Sequence, residues 1–273
     1  MFGRKTRGHL LTLLTHVLGW LMFFPILWMV LTSFKTEQIA FAYPPKLWFT
    51  PTLENWQIAL SGTDYLSFLW NTLLITILST ILALVLGIPA AYAMAFYPTK
   101  RTDGAMLWIM STRMLPPVGV IVPLYLLFQR LQLLDTYTGM IIIYTGMNVP
   151  LVVWMVRSFM LDVPFEVIEA ARIDGVSIGQ EIGNIILPLI VPGLAATALL
   201  CFIFAWNEFF FAFNLTTKSA APLSVYISSF KTAEGLFWAK MSAAATATVL
   251  PVLIAGWSAQ RQLVTGLTMG AVK

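Results

Sequence analysis

Long apolar runs alternate with short polar connections along the whole chain. The runs fall near residues 10–32, 67–96, 105–128, 138–158, 189–213 and 241–260, and each reaches the roughly 20 residues that a helix needs to cross a hydrocarbon core. Inside a bilayer every peptide group must find its hydrogen bond within the protein, so runs of this length are helices. The pattern predicts an all-α membrane protein with six transmembrane helices, forming a single domain over residues 1–273.

The interruptions divide the runs unequally. Residues 33–66 carry Tyr43-Pro44-Pro45 and Pro51-Thr52-Leu53-Glu54-Asn55-Trp56; these prolines and turn formers exclude one continuous helix, while Trp48 and Trp56 suit a membrane interface. Residues 97–104 make a tight polar return. The third run contains Met114-Leu115-Pro116-Pro117 and then Pro123, which remove backbone donors and are expected to interrupt or bend a helix. Carbonyls freed in this way are tolerated only against protein or water, so this run is expected to line a cavity. Residues 241–248 are rich in small side chains at four-residue spacing and read as a packing surface. The connection 214–240, with Tyr226, Phe230, Phe237 and Trp238, is expected to be a mobile loop whose aromatic rings reach a partner or anchor at the lipid interface.

The connection 159–188 is of another kind. Asp162 is placed to cap a helix opening near Pro164, and Gly175 offers the left-handed position that ends it after about three turns. Glu166, Glu169 and Arg172 recur at i, i+3 and i+6 as a charged stripe, and Ala170 and Ala171 let a partner approach closely. Ser177-Ile178-Gly179-Gln180 has the spacing of a capping box and starts a second helix, which is expected to run through a kink at Pro188 into the fifth run. Helices that lie on lipid headgroups are rich in Lys and Arg. Here acidic residues outnumber basic ones, which favours a protein partner.

Composition supports the same class. Apolar residues make up 59% of the chain and charged ones 10%, against about 25% charged in soluble domains. The first run is longer than the apolar core of a signal peptide, and no small-x-small site follows it, so it is expected to stay as a helix. Cationic residues gather at Arg4, Lys5 and Arg7, at Lys100 and Arg101, and near Arg157 and Arg172; the positive-inside bias then puts both termini and the connections after the second and fourth runs in the cytoplasm. The net charge of +4 follows from this topology and gives no argument for nucleic acid. Cys201 is the one cysteine and forms no intrachain disulfide, and His9 and His16 have neither cysteine nor paired carboxylates nearby to build a metal site. The chain contains no G-x-x-x-x-G-K-[ST] segment to cradle nucleotide phosphates.

Glu169-Ala170-Ala171, with Gly175 four residues after Ala171 and Ile185-x-Leu187-Pro188 beginning ten residues later, resembles the cytoplasmic signature of permease subunits of binding-protein-dependent ABC importers. Asn148-Val149-Pro150, Trp206-Asn207-Glu208-Phe209 and the ending 266–273 are similar to carbohydrate-uptake permeases of the maltose-transporter type. Residues 111–117 are similar to a stretch in polyol and related sugar permeases. The resemblance covers nearly the whole chain. It implies the type I importer architecture in a bacterial cytoplasmic (inner) membrane, with a second, related permease subunit, two ATPase subunits that hold ATP and Mg, and an extracytoplasmic binding protein that delivers a carbohydrate or polyol. This chain would then hold no catalytic, cofactor or metal residue. Docking to the ATPase would fall to Glu166, Glu169, Ala170, Ala171, Arg172, Asp174 and Gly175, and a tail contact to Gly266, Thr268, Gly270 and Lys273.

Arg113, Pro117, Tyr144, Asn148, Asn207 and Glu208 are candidate solute-pathway residues, because they place polar or broken backbone chemistry within apolar runs. An ionised side chain at the membrane centre costs roughly 2.5–3.5 kcal/mol on insertion scales. Glu208 lies near one end of its run, where it serves either as a gate or as an interface anchor. Tyr144 and Asn148, four residues apart, share a face that either presents a ring and an amide to a sugar or makes interhelical hydrogen bonds of about 0.6 kcal/mol. An ion-coupled secondary transporter is the competing class; it would need coupling-ion ligands or an internal repeat. A membrane-embedded enzyme would need paired His, paired Asp or a Ser/His set.

Overall fold

The computed structural model describes residues 4–61, 64–232 and 235–268. In chain order the helices are α1 (Arg4–Ser33), α2 (Glu37–Ala40), α3 (Glu54–Leu60), α4 (Tyr65–Phe96), α5 (Thr102–Met114), α6 (Pro117–Arg130), α7 (Tyr137–Leu161), α8 (Phe165–Ile173) and α9 (Ile178–Gln180). A π-helical segment (Glu181–Ile186) follows, then α10 (Leu187–Leu189), α11 (Val191–Trp206), α12 (Phe210–Leu215), α13 (Leu223–Ser228) and α14 (Trp238–Thr268). A two-residue hairpin, β1 (Lys231–Thr232) and β2 (Gly235–Leu236), precedes α14.

Among the described residues, four helices are long and apolar enough to cross a membrane unbroken, with mean hydropathy from 1.4 to 2.5, and counting each of two bent pairs as one crossing gives six. The pair α5 and α6 bends by 88°, at the Leu115-Pro116 step that the prolines predicted. The second pair, residues 178–189 with α11, bends by 86°. The expected kink at Pro188 is thus a full bend, centred two residues later at Ile190. Pro188 has no N–H for the Asn184 carbonyl, and its ring crowds that carbonyl. The backbone widens into the π-helical segment just before it. The fifth run is not one helix either. It ends at Trp206 and restarts as α12, because the Glu208 carboxylate accepts the free N–H groups of Phe211 (2.9 Å) and Ala212 (3.1 Å).

The chain divides into two compact units, Met1–Leu66 with Tyr226–Leu250, and Ser67–Val225 with Pro251–Lys273. In the first unit the buried Asn55 amide donates to the carbonyls of Ser33 (3.1 Å) and Lys35 (2.6 Å), which α1 leaves free where it ends. The Glu37 carboxylate accepts the N–H groups of Ala239 and Lys240 and so caps the start of α14. Tyr226 and Phe230 do not belong to a mobile arm. Both are buried, and the Tyr226 hydroxyl donates to the Ala59 carbonyl at 2.8 Å while its ring meets Tyr65 and Phe230 edge-on. Ala243, Ala244 and Ala247 are buried, as a small-residue packing surface requires. Leu10, Leu14, Trp20, Met22 and Phe24 of α1 are all exposed, which leaves an apolar helix surface for lipid.

The core of the second unit joins α4, α7 and α11 through Ala83, Ala91, Val152, Val156 and Cys201. A Cβ on Gly87 would lie 2.5 Å from Val152 Cγ1, so α4 and α7 approach to this distance only because position 87 has no side chain. Ahead of α7, Asp135 sits at φ 53°. Its carboxylate accepts the backbone N–H groups of Thr217, Lys218, Ser219 and Ala220 at 3.0–3.2 Å, together with the Thr217 hydroxyl at 2.8 Å. Burial opposes ionisation there, but the donors from Ser219, Thr217 and Ala220 outweigh it and hold the carboxyl well below the usual carboxylate range. Asn71 binds the same loop through the carbonyls of Ser219 and Ala221, and Tyr137 donates to Asn71.

Candidate functional site

Helix α8 emerges where the sequence expects it, with different ends. Asp162 is the C-cap residue of α7 and does not cap α8; Pro164 occupies the N-cap position and makes no side-chain cap bond. At the other end Asp174 is the C-cap and Gly175 takes φ +77°. The Gly175 N–H donates to Arg172 O and the Val176 N–H to Ala171 O, both at 3.1 Å, which closes a Schellman motif. Glu166 in the first turn and Arg172 in the last match the helix dipole. The Gln180 side chain then accepts from the Ser177 N–H (3.1 Å) and hydroxyl (2.8 Å), completing the predicted box.

The two faces of α8 differ. Ile168 is buried in one cluster with Met160 and Ile186, and Ala171 is buried beside it in sequence register. Phe165, Glu166, Glu169, Ala170, Ile173 and Asp174 are exposed, Ile173 to 86%. Of the seven residues assigned to docking, Ala171 therefore faces inward. Arg172 is turned aside as well. Its Nε lies 3.2 Å from Glu181 Oε2 and its Nη2 3.3 Å from Oε1, the one ion pair among the described residues. Its guanidinium also lies 4.9 Å over the Tyr97 ring. The hydrogen bond with Glu181 raises the Arg172 pKa, so its charge persists at every physiological pH.

The pathway candidates separate into two groups. Arg113, in the last turn of α5, and Pro117, the first residue of α6, line a cavity of about 420 Å³ with Thr112, Ile142, Gly146 and Phe211. A second cavity of about 470 Å³ shares Thr112, Ile142 and Gly146 and adds Trp108 and Val149. The Arg113 guanidinium lies 4.9 Å from the Phe204 ring centre, and the carbonyl end of α5 partly offsets its charge. Tyr144 and Asn148 are buried, and they use their polar atoms inside this chain: the Tyr144 hydroxyl donates to Glu208 O at 3.4 Å and the Asn148 amide to Cys201 O at 3.2 Å. Asn207 is exposed and its amide folds back onto Ile203 O. Glu208 is the cap of α12 described above. Gly266 and Thr268 lie at the end of α14, while Gly270 and Lys273 lie outside the described residues.

The short helix α8 carries Glu169-Ala170-Ala171 and closes at Gly175. The family model for the binding-protein-dependent transport system inner membrane component matches residues 83–264. The chain belongs to this family of ABC importer permeases. It is 39% identical to the probable ABC transporter permease protein y4oR of Sinorhizobium fredii, over 99% of this chain and 98% of that one. It is 34% identical to the trehalose transport system permease protein SugB of Mycobacterium tuberculosis, over 99% of each. Its fold matches a chain of a bacterial ABC transporter involved in the import of the acidic polysaccharide alginate, with a TM-score of 0.77 over 96% of this chain and 98% of that one, at 22% identity.

Two features of this permease escape sequence reasoning. Phe165 and Ile173 are exposed apolar residues at the two ends of α8, and their only sequence signal is that they fall off the Ile168–Ala171 face. Glu181 is an isolated carboxylate before an apolar run, and its partners are distant in sequence: Arg172 nine residues away and Tyr92 eighty-nine.

Proposed function

We propose that the chain is the membrane-spanning subunit of an ATP-driven importer that takes up a carbohydrate or polyol handed over by an extracytoplasmic binding protein. The observation that carries this reading is the outward face of α8. Phe165, Glu169, Ala170 and Ile173 form a rigid, part-apolar and acidic surface outside the core, of the kind that fits a groove on a soluble partner. That partner is an ATPase subunit, two of which hold ATP and Mg below this chain and a second, related permease. The carboxyl-terminal segment with Gly266, Thr268, Gly270 and Lys273 contacts the ATPase pair. Both termini and α8 lie on the cytoplasmic side of a bacterial inner membrane, in keeping with the cationic clusters.

The trehalose permease among the relatives supports a sugar as solute. The solute passes beside the broken third crossing, along Arg113 and Pro117, where cavities adjoin interrupted backbone. The test is purification of the intact complex, followed by ATPase assays with the binding protein and a panel of neutral sugars and polyols. Two ATPase subunits and a second permease should accompany this chain, and one class of sugar or polyol should raise hydrolysis. A chain that purifies without any ATPase, or hydrolysis indifferent to every sugar and polyol, rejects the reading.

A further inference from the structure

Glu181 is only 1% exposed, and a buried carboxylate is tolerated only when it is paired and hydrogen-bonded. Three donors meet it: Arg172 Nε and Nη2, and the Tyr92 hydroxyl at 2.9 Å from Oε1. They join three separate elements. Arg172 belongs to the last turn of α8, Glu181 is the first residue of the π-helical segment, and Tyr92 lies in α4. The Tyr97 ring, just past α4, covers the face of the Arg172 guanidinium and holds it in place.

The covalent route from α8 to the same segment is an exposed turn held by backbone and capping hydrogen bonds. It runs through Asp174, the left-handed Gly175 and the turn up to Gln180, and apart from Val176 these residues are exposed. The side-chain cluster bypasses that turn. Separating α8 from Glu181 would strand a buried charge, so the three elements move together. Beyond Glu181 the π-helical segment leads through Pro188 to the 86° bend before α11, and π-helical turns are frequent at functional sites.

We propose that Arg172, Glu181 and Tyr92 form the strut that passes a displacement of α8 into α4 and α11, and that they are positioning residues for solute translocation. The proposal rests on the docking of α8 to an ATPase. Its test uses the intact complex with its binding protein in liposomes, in a Cys201→Ala background with Ala170→Cys added to report docking by crosslinking. Solute moved per ATP hydrolysed is compared for the parent, Tyr92→Phe, Glu181→Gln and the double variant. The crosslink to the ATPase should persist in all of them while the ratio falls about threefold or more in Glu181→Gln. Tyr92→Phe should lower it less, and the double variant should fall no further than Glu181→Gln alone. Where Glu181→Gln does not assemble, Tyr92→Phe, which loses a single hydroxyl, carries the test. An unchanged ratio with the crosslink retained overturns the strut, even if the melting temperature drops, because a purely structural cluster would change stability alone. Absence of the crosslink in the parent rejects the docking reading and, with it, the strut.

Discussion

Ile173→Asp is expected to strip the ATPase subunits from the solubilised complex while this chain remains in the membrane. Ile173 is exposed to 86% and Phe165 to 50% at the two ends of one short helix, and Phe165 touches the edge of the Arg172 cluster, its ring centre 6.0 Å from that guanidinium. Anchors of this kind contribute about 2 kcal/mol or more to an interface, which corresponds to at least a roughly 30-fold loss of affinity on replacement. A carboxylate in the same place adds the cost of burying an unpaired charge. Glu169→Lys should act differently, by altering the salt dependence of association more than its strength at high salt. Pull-down through a tagged ATPase reads both. Parental recovery of the Ile173→Asp chain would exclude the outward face of α8 as the docking surface.

The second large effect belongs to Asp135. Asp135→Ala removes the acceptor from four backbone N–H groups and one hydroxyl. Hydrogen bonds to a charged group contribute about 1.5–3 kcal/mol each when buried. This carboxylate is half-buried, and solvent takes over part of the set, so the loss is about 2–4 kcal/mol. The loop keeps its ties to Asn71 and Thr72, so it opens without unfolding the unit. Lys218 is exposed on that loop; trypsin cleavage after it should speed up about tenfold or more, because cleavage follows the population of the open form. Asp135→Asn, which keeps one acceptor oxygen, should lie between. The pH dependence has a definite sign. A carboxylate whose folded pKa is depressed contributes stability that is complete above its unfolded value near 4 and is lost as the pH falls through the folded value. Protection of Lys218 should therefore be flat from about pH 5 to pH 8. Cleavage at the parental rate in Asp135→Ala would show that Asn71 and Thr72 hold the loop unaided.

The crossings, the break at Pro116 and the bend just past Pro188 are legible in the sequence because apolar length and missing N–H groups act locally. Helix α8 and its glycine stop are legible for the same reason, since capping chemistry spans only a few residues. Asp162 marks the limit of such reasoning. Pro164 serves equally as the stop after α7, which runs on to Leu161, and as the start of α8, and so Asp162, suited to starting one helix, terminates another. Helical spacing correctly puts Tyr144 and Asn148 on one face but does not say which helix covers it; the acceptor for Asn148 is a carbonyl 53 residues away, at Cys201. Glu181 is hidden for a related reason. Its three donors come from two elements that only the tertiary fold brings to it.

The central claim is that ATP hydrolysed on partner subunits drives import through this chain. It is tested most directly by solute uptake into sealed vesicles that contain the reconstituted complex, with binding protein outside, ATP inside and no ion gradient. The account predicts uptake that requires both ATP and the binding protein, stops in a hydrolysis-deficient ATPase, and is unchanged by proton or sodium ionophores. Uptake that proceeds without ATP on an imposed ion gradient, and collapses with the ionophore, would contradict it.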